Sequence, residues 1–540
     1  MKKYNIIKWF MMSAISLSVI SCDNSLDEVV YSSVTEQNYN FSEEDFVPTL
    51  LSIYPPLRAF PQHWGFWTTQ ESTTDEIVMP PTATGWDDGG IYRVMHYHLW
   101  NSEHKCIEGM WGCFYEGILL CNKVIEQIEN GKIPAPSSTL KEQGLAELRA
   151  MRAYYYWMVC DNFGDAPLVT TMEQVLPEKT SRKEIFDFIV NELKISIPQL
   201  NDVHSGEMYG RMNKWAGIAL LANVYLNAEI YTGDAHWEEC IAQCDEIINS
   251  GIFELSSNYK DAFRAQGVES SKEVLFTIPF DKVLGAGNIF HMVSWQSELR
   301  KKFDLAATPW GSGTSMAITQ FIDTYQEGDS RLDDTWLHGQ QYDSEGNMLY
   351  GIYEYPGEPL IINKDIPNAS YVTEMQGYRM NKYEVEPGTT DNSNTDMPLF
   401  RYAQILMMKA ECLLRTNKSG AGELVTAVRK RAFKDNPSKA IVTDDQLKEN
   451  SSYNYGYVDN YIVSDPGNQD IVPYGRMYDE LGWEFVWETL RRRDAIRFGV
   501  FTKKSWLSHK PQGDYRTVFP IPEKVLISNP MLSQNPNYTK

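Results

Sequence analysis

Apolar residues recur at helical spacing through two stretches of the chain. Between 213 and 231, Trp215, Ala219, Ala222, Leu226 and Ile230 follow a 4-3-4-4 spacing that places them on one stripe of a helix. From 237 to 249 the stripe is Trp237, Ile241, Cys244 and Ile248, and Gly251 stands where a helix is expected to stop. Residues 140–162 put Ala146, Ala150, Ala153 and Trp157 on one face, with small side chains that permit close helix crossing. Another helix is read over 107–129. Ser181-Arg182-Lys183-Glu184 has the form of a capping box, opening a helix that runs to Ile197, before Pro198. The pattern returns at 399–416, with Leu399, Ala403, Leu406, Ala410 and Leu413 on one face, then at 420–433 and 475–498. Trp157, Trp215 and Trp237 lie on such stripes and are assigned to the core. Trp483 and Trp487 share the last segment with Glu484, Glu488 and Arg491-Arg492-Arg493, read as structural ion pairs at i,i+4 spacing. Helices of similar length joined by short turns predict tetratricopeptide-like hairpins, although no consensus repeat recurs.

Two regions lack this order. From about 60 to 100 and from 256 to 398, Gly, Pro, Asn, Asp and aromatic residues rise, with short strand-like pieces such as Val274–Ile278. Long irregular segments inside a helical scaffold tend to carry function. The expected fold is therefore mainly α: a scaffold over 107–255 and 399–500, with two irregular ligand-binding regions, in one globule from 42 to 540.

The N-terminus changes the picture. Lys2, Lys3 and Lys8 precede an apolar run from Trp9 to Ile20, too short for a stable span of roughly 20 apolar residues. It has the form of a secretory signal. The run ends in Val19-Ile20-Ser21-Cys22, the lipobox pattern in which Cys22 is acylated and becomes the first mature residue. Several acyl chains on one residue anchor a protein stably. Residues 1–21 are read as a signal peptide and 22–41 as a lipidated, polar tether.

The formal net charge is −23, and loss of residues 1–21 removes three lysines and no acid. So acidic a chain argues against nucleic acid as a partner. Of its eight cysteines, those at 106, 113, 121, 160, 240, 244 and 412 form no CxxC pair and read as small buried apolar residues. His96 and His98 flank Tyr97 in a strand-like stretch, with no third metal ligand in view. No cofactor is implied. The Asn- and Asp-rich turn at 391–396 leaves structural calcium open, although its spacing is not that of an EF-hand.

Four segments, taken in order with the lipobox, resemble the SusD/RagB family of outer-membrane nutrient-binding lipoproteins. They are Arg149–Trp157 with Asn162–Val169, Arg401–Glu411, Trp483–Gly499, and Phe519–Pro522 with Asn529-Pro530 and Gln534–Tyr538. The chain departs from the family pattern at Trp487–Leu490 and at Asn537, where glycine is usual. The resemblance implies four tetratricopeptide-like units and a loop-rich ligand-binding half. It also implies a lid-like role on a SusC-like TonB-dependent transporter at the outer membrane, facing outward, with no catalysis.

Proteins that hold sugars without cutting them stack aromatic rings on the C–H faces and present polar groups to the hydroxyls. The irregular regions contain Trp64, Trp67 and Trp86, then Trp295 and Trp310. Trp86 stands in Gly85-Trp86-Asp87-Asp88-Gly89-Gly90, Trp295 near Asn288, His291, Ser294 and Gln296, and Trp310 in Pro309–Gly313. The expected platform is Trp86, Trp295 and Trp310, with Trp64, Trp67, Asp87, Asp88, Asn288 and Gln296 as further ligand contacts. An open row of indoles suits an extended β-linked plant glucan such as xyloglucan. Two alternatives stay open. A peptide-binding uptake protein of RagB type shares the fold. A glycoside hydrolase needs two carboxylates roughly 5 Å or 6.5–9.5 Å apart, and Asp87 with Asp88 or Glu71 with Asp75 are the pairs at hand.

Overall fold

The computed structural model describes residues 39–285, 287–310 and 314–539. The signal segment, Cys22 and the tether up to residue 38 lie outside the described residues, as do Gly311, Ser312 and Gly313 beside Trp310.

A short helix α1 (Phe46–Leu51) leads into α2 (Phe66–Glu71) and α3 (Ile91–His96). The scaffold then begins with α4 (Lys105–Glu129) and α5 (Ser138–Phe163), continuing with α6 (Arg182–Ser196), α7 (Lys214–Leu226) and α8 (Trp237–Asn249). Each packs against the next. Their starts follow from local chemistry. Ser137 caps α5 by accepting the Leu140 N–H, and Asn213 caps α7 by accepting from Trp215 and Ala216. Ser181 and Glu184 form the expected capping box at α6. After α8, Gly251 takes a φ of 65°, the left-handed turn the pattern anticipated. Between α4 and α5 the approach is close enough that a Cβ at Gly117 would run into the Tyr155 ring. Ala146, Ala150, Ala153 and Trp157 are all buried.

Strand β1 (Val274–Ile278) pairs antiparallel with β2 (Met397–Arg401), so Leu399 lies in a strand and not on the helix expected from 399. The helix α9 (Phe290–Ser294) sits in the irregular half. The chain returns to the scaffold with α10 (Tyr402–Arg415), which packs on α8, and α11 (Ala421–Arg429). The expected helix 475–498 is two helices, α12 (Gly475–Phe485) and α13 (Arg491–Arg497). The break follows from Trp487 and Thr489, both at positive φ. One hydrophobic cluster extends from Phe46 to Ile521, and the fold is mainly α.

The charges on α12 and α13 are structural ion pairs, with Arg476–Glu480 and Asp494–Arg497 formed within the helices, but Glu484, Glu488 and the arginine run do not pair with one another. Glu484 accepts from Arg401 (2.8 Å), Arg431 (2.5 Å) and Arg331 (3.3 Å), while Glu488 accepts from Arg401 (2.6 Å). Arg491 instead binds Asp75 at 2.7 Å, Arg493 binds Asp161 and Arg497 binds Glu411. Long-range partners replace the i,i+4 pairs because the break at 486–490 turns the two helices apart. Burial works to raise the Glu484 carboxyl, yet Arg431, Arg401 and Arg331 outweigh it and hold it at about 2.

All seven described cysteines are buried and free. His96 lies on α3 rather than a strand, and neither of its ring nitrogens has a partner. His98 bonds the Thr73 carbonyl at 2.7 Å. Among the described residues, no group of three or more His, Cys, Asp or Glu is placed to hold a metal ion.

Candidate functional site

Three loops bring indoles together on one face. Trp64 precedes α2 and is 43 % exposed; Trp86 precedes α3 and Trp310 follows α9, both half-buried. The Trp86 and Trp310 ring centroids are 6.1 Å apart with planes tilted by 54°. His63 sits among them, 5.2 Å from Trp64, 6.0 Å from Trp86 and 5.4 Å from Trp310. Tyr92 closes the inner side, 5.5 Å from Trp86.

Asp88 holds this cluster in register. Its Oδ2 accepts from Trp64 Nε1 (2.8 Å) and from the Tyr92 hydroxyl (2.5 Å), and lies 3.8 Å from His63 Nε2. The backbone makes this possible. Asp88 itself has φ 47°, and Gly89 and Gly90 follow at 75° and 84°. Aspartate is among the few residues that adopt this left-handed region with modest strain, and the turn aims its carboxylate back under the rings. Asp87 accepts the Gly89 N–H at 3.1 Å and pairs with Arg93 at 2.7 Å. Trp64 is seated against α4: a Cβ at Gly109 would lie 2.7 Å from the Trp64 carbonyl oxygen, so only glycine fits there. Lys105 lies 4.7 Å over the Trp64 ring. On the other flank, Gln62 donates to the Gly287 carbonyl at 2.6 Å, and the Trp310 backbone N–H donates to the Met292 carbonyl at 2.9 Å.

The floor centres on the Asp88 carboxyl, which takes up the Trp64 and Tyr92 donors. Burial pushes the His63 pKa down, with Asp88 opposing, so the imidazole is uncharged at neutral pH. Burial, reinforced by the hydrogen bond to Asp88, keeps the Tyr92 phenol protonated and donating. Tilted aromatic faces rimmed by an aspartate–arginine pair and a lysine can stack on apolar ring faces and bond hydroxyls at their edges.

Of the expected contacts, Trp64, Trp86, Trp310, Asp87 and Asp88 come together here. The others are corrected by the structure. Trp295 is 1 % exposed, stacks on Phe303 at 3.9 Å and donates to the Met380 carbonyl at 2.6 Å. Trp67 is fully buried and stacks on Trp487 at 5.1 Å. Asn288 and Gln296 are buried, their amides donating to the Thr395 and Glu374 carbonyls. All four hold the irregular half together and none faces the indole cluster. Glu71 and Asp75, one of the two carboxylate pairs considered for hydrolysis, are buried too, with Asp75 locked by Arg491. His63, Tyr92, Arg93 and Lys105 escaped the sequence reading. Tyr92 stands four residues after Asp88 at a helix start, the one local signal that links them.

Two SusD-family profiles match the chain: one described as SusD family over residues 272–538, the other as starch-binding associating with outer membrane over 66–226. The chain belongs to the SusD family. Across its length it is similar to SusD-like protein P25 of Formosa agariphila, 23 % identical with 99 % of this chain and 98 % of that protein covered. It is 24 % identical to the starch-binding protein SusD of Bacteroides thetaiotaomicron, covering 88 % of this chain and 86 % of that one. Among solved structures, B. fragilis NanU superposes with a TM-score of 0.70 at 20 % identity, covering 94 % of this chain and 99 % of that one. Surface glycan-binding protein A from B. thetaiotaomicron, in complex with laminarihexaose, gives 0.68 at 19 % identity, covering 91 % and 99 %. The SusD fold therefore accounts for the scaffold, including Asn537, which holds φ 65° where glycine is usual.

Proposed function

We propose that this SusD-family member is a lipid-anchored outer-membrane protein, facing the cell exterior, that captures a saccharide chain on Trp64, Trp86 and Trp310. It then passes the chain uncut to a SusC-like TonB-dependent transporter. The observation that carries this reading is the meeting of three partly exposed indoles around Asp88, from loops that belong to two different irregular regions. The names of similar proteins agree in kind: one is called starch-binding, another surface glycan-binding and solved with laminarihexaose. The lipobox at Cys22 supplies the anchor. Asp87 and Asp88 are both committed to neighbours within the protein, to Arg93 and to Trp64 with Tyr92, which supports holding over cleavage.

Trp86 and Trp310, tilted by 54°, with the exposed Trp64 beside them suit an extended chain; xyloglucan and other β-glucans lead the list of ligands. Calorimetry of residues 23–540 against laminarin, starch and xyloglucan, with Trp86→Ala alongside, tests the proposal. Heat with one polysaccharide class, lost in the variant, and no new reducing ends supports it. Binding of peptides in place of every polysaccharide would overturn it in favour of peptide uptake, and release of reducing ends would make the protein an enzyme.

A further inference from the structure

A second group of exposed aromatic residues lies outside the indole cluster. Tyr350, Tyr353, Tyr355 and Tyr371 are 49 %, 36 %, 36 % and 45 % exposed, three from one loop and the fourth packed beside it. Scattered exposed tyrosines need no explanation, but this loop is built from beneath. Glu374, fully buried, accepts the backbone N–H groups of Ile352 (3.0 Å), Tyr353 (3.1 Å) and Tyr355 (3.1 Å). Gly351 makes room for that carboxylate, since a Cβ there would lie 2.6 Å from Glu374 Oε1. The ring hydroxyls are pinned as well. Tyr371 donates to Glu354 at 2.5 Å, and the Tyr353 hydroxyl lies 3.3 Å from Ser297 Oγ. Burying a carboxylate is costly unless it is fully bonded. Here the bonds it makes fix a loop whose visible product is a set of presented rings.

The loop is joined to both segments that carry the indoles. Val372 donates its N–H to the Pro81 carbonyl at 3.2 Å, on the strand of chain that continues to Trp86. Gln296 bonds the Glu374 carbonyl at 2.7 Å, just beyond α9, whose Met292 carbonyl receives the Trp310 N–H.

We propose that Tyr353, Tyr355 and Tyr371 form a second saccharide-contacting surface, continuous with the indole cluster, that engages only chains long enough to run from one to the other. The inference rests on the saccharide reading of the indoles and adds a length-dependent part to it. Rigid, hydroxyl-bearing rings bind with little ordering cost, and the Tyr371 phenol sits beside the Glu354 carboxylate, a group suited to sugar hydroxyls.

The test compares wild type, Trp86→Ala and the triple variant Tyr353→Ala/Tyr355→Ala/Tyr371→Ala. The probes are laminarihexaose with laminaribiose, maltohexaose with maltose, and xyloglucan with its heptasaccharide. The triple variant is expected to lose roughly ten-fold or more in affinity for the long member of the binding pair and to leave the short member unchanged. Trp86→Ala is expected to weaken both. A further variant, Glu374→Gln, which replaces one of the two oxygens that accept the loop amides with an NH2 donor, is expected to reproduce the long-chain loss with the rings still present. Long-chain affinity equal to wild type in the triple variant would overturn the inference, and a defect confined to association with the transporter would assign the tyrosines to a protein partner instead. Loss in the triple variant with none in Trp86→Ala would sink the indole reading and, with it, the two-part surface, leaving the tyrosines as a separate site. No heat with any probe in wild type would sink both.

Discussion

Trp86 and Trp310 meet at 6.1 Å with their planes tilted by 54°, although one lies before α3 and the other beyond α9. Neither stacks flat on the other, so each keeps a face available. Both are half-buried, which fixes ring position without hiding it. Rings held this way enter a complex with their ordering cost already met by folding.

Replacing either ring should therefore act on binding and not on folding. Trp86→Ala and Trp310→Ala are each expected to weaken binding of the responsive polysaccharide by ten-fold or more, about 1.4 kcal/mol, with the melting temperature within a few degrees of wild type. Calorimetry and differential scanning calorimetry on the same samples check both halves. Unchanged affinity in both variants would remove the cluster from the site.

Trp295 should behave in the opposite way. With its face on Phe303 and its N–H on Met380, Trp295→Ala opens a cavity and strands a carbonyl. A loss of about 3–5 kcal/mol in unfolding free energy is expected, with Trp295→Phe recovering much of it. Denaturant titration reads the effect. A variant that stays as stable as wild type yet stops binding would return Trp295 to the ligand surface.

The contrast between these tryptophans shows what the sequence can and cannot reveal. Trp86 and Trp295 both stand among polar neighbours, but the polarity serves different ends. Around Trp295, Asn288, His291, Ser294 and Gln296 all turn inward to backbone carbonyls of Thr395, Thr390, Ser315 and Glu374. Around Trp86 the polar run includes glycines at positive φ, which force a turn at the surface. Glycine was the informative neighbour, and polarity alone was not. The helices divide in the same manner. Trp237–Asn249 was legible to the residue because an unbroken stripe ends at a glycine. The break between α12 and α13 was not, because Val486–Leu490 holds no glycine or proline to mark it. What bends it is tertiary: Trp487 stacks on Trp67, and the Thr489 N–H donates to Glu71 at 2.7 Å. The indole cluster itself depends on Asp88, whose bond to Trp64 spans loops that no periodicity connects.

Asp88 is the next position to probe. Asp88→Asn keeps an oxygen acceptor and tolerates the left-handed backbone, whereas Asp88→Ala loses both bonds and strains the turn. Binding is expected to fall by a few-fold in the first and by ten-fold or more in the second. Intrinsic fluorescence should shift as Trp64 loses its partner. Equal affinity in Asp88→Ala and wild type would show that the rings hold their places without it.

Glu484 tests the scaffold. Three guanidiniums converge on it at 0 % side-chain exposure. Glu484→Gln leaves Arg331, Arg401 and Arg431 short of charge in a dry interior, and a loss of about 3–5 kcal/mol is expected from urea unfolding. Because the folded value is depressed to about 2, this contribution is fully present above the ordinary glutamate range. It fades only as pH falls from about 4.3 toward 2.

Acid should begin to act well before that, through histidine. His96, His98 and His509 are fully buried, with His98 and His509 ring centroids 4.1 Å apart and His96 6.3 Å from His509. Burial pushes all three down, His96 to about 3, and Arg492 and Arg516 add to the effect at His98. In the unfolded chain these rings take up protons near pH 6.5, while in the folded protein they do not. At these three sites the unfolded state thus binds more protons throughout that window, and their share of the stability falls as pH drops below about 6.5. Each ring contributes a slope of about 1.4 kcal/mol per pH unit down to its folded value. Between pH 6 and 5 Glu484 is still ionised in both states, whereas Glu71 and Glu298, which burial raises to about 8 and about 7, act in the opposite sense to the histidines, so the histidine share is read from a single-site variant. His96 has no hydrogen bond to lose, so His96→Leu removes one proton site at little structural cost. Unfolding free energies measured from pH 7.5 to 4.5 should show a shallower acid slope in His96→Leu than in wild type. Identical slopes would mean that His96 already carries a proton in the folded protein and that its pocket is wetter than its burial implies.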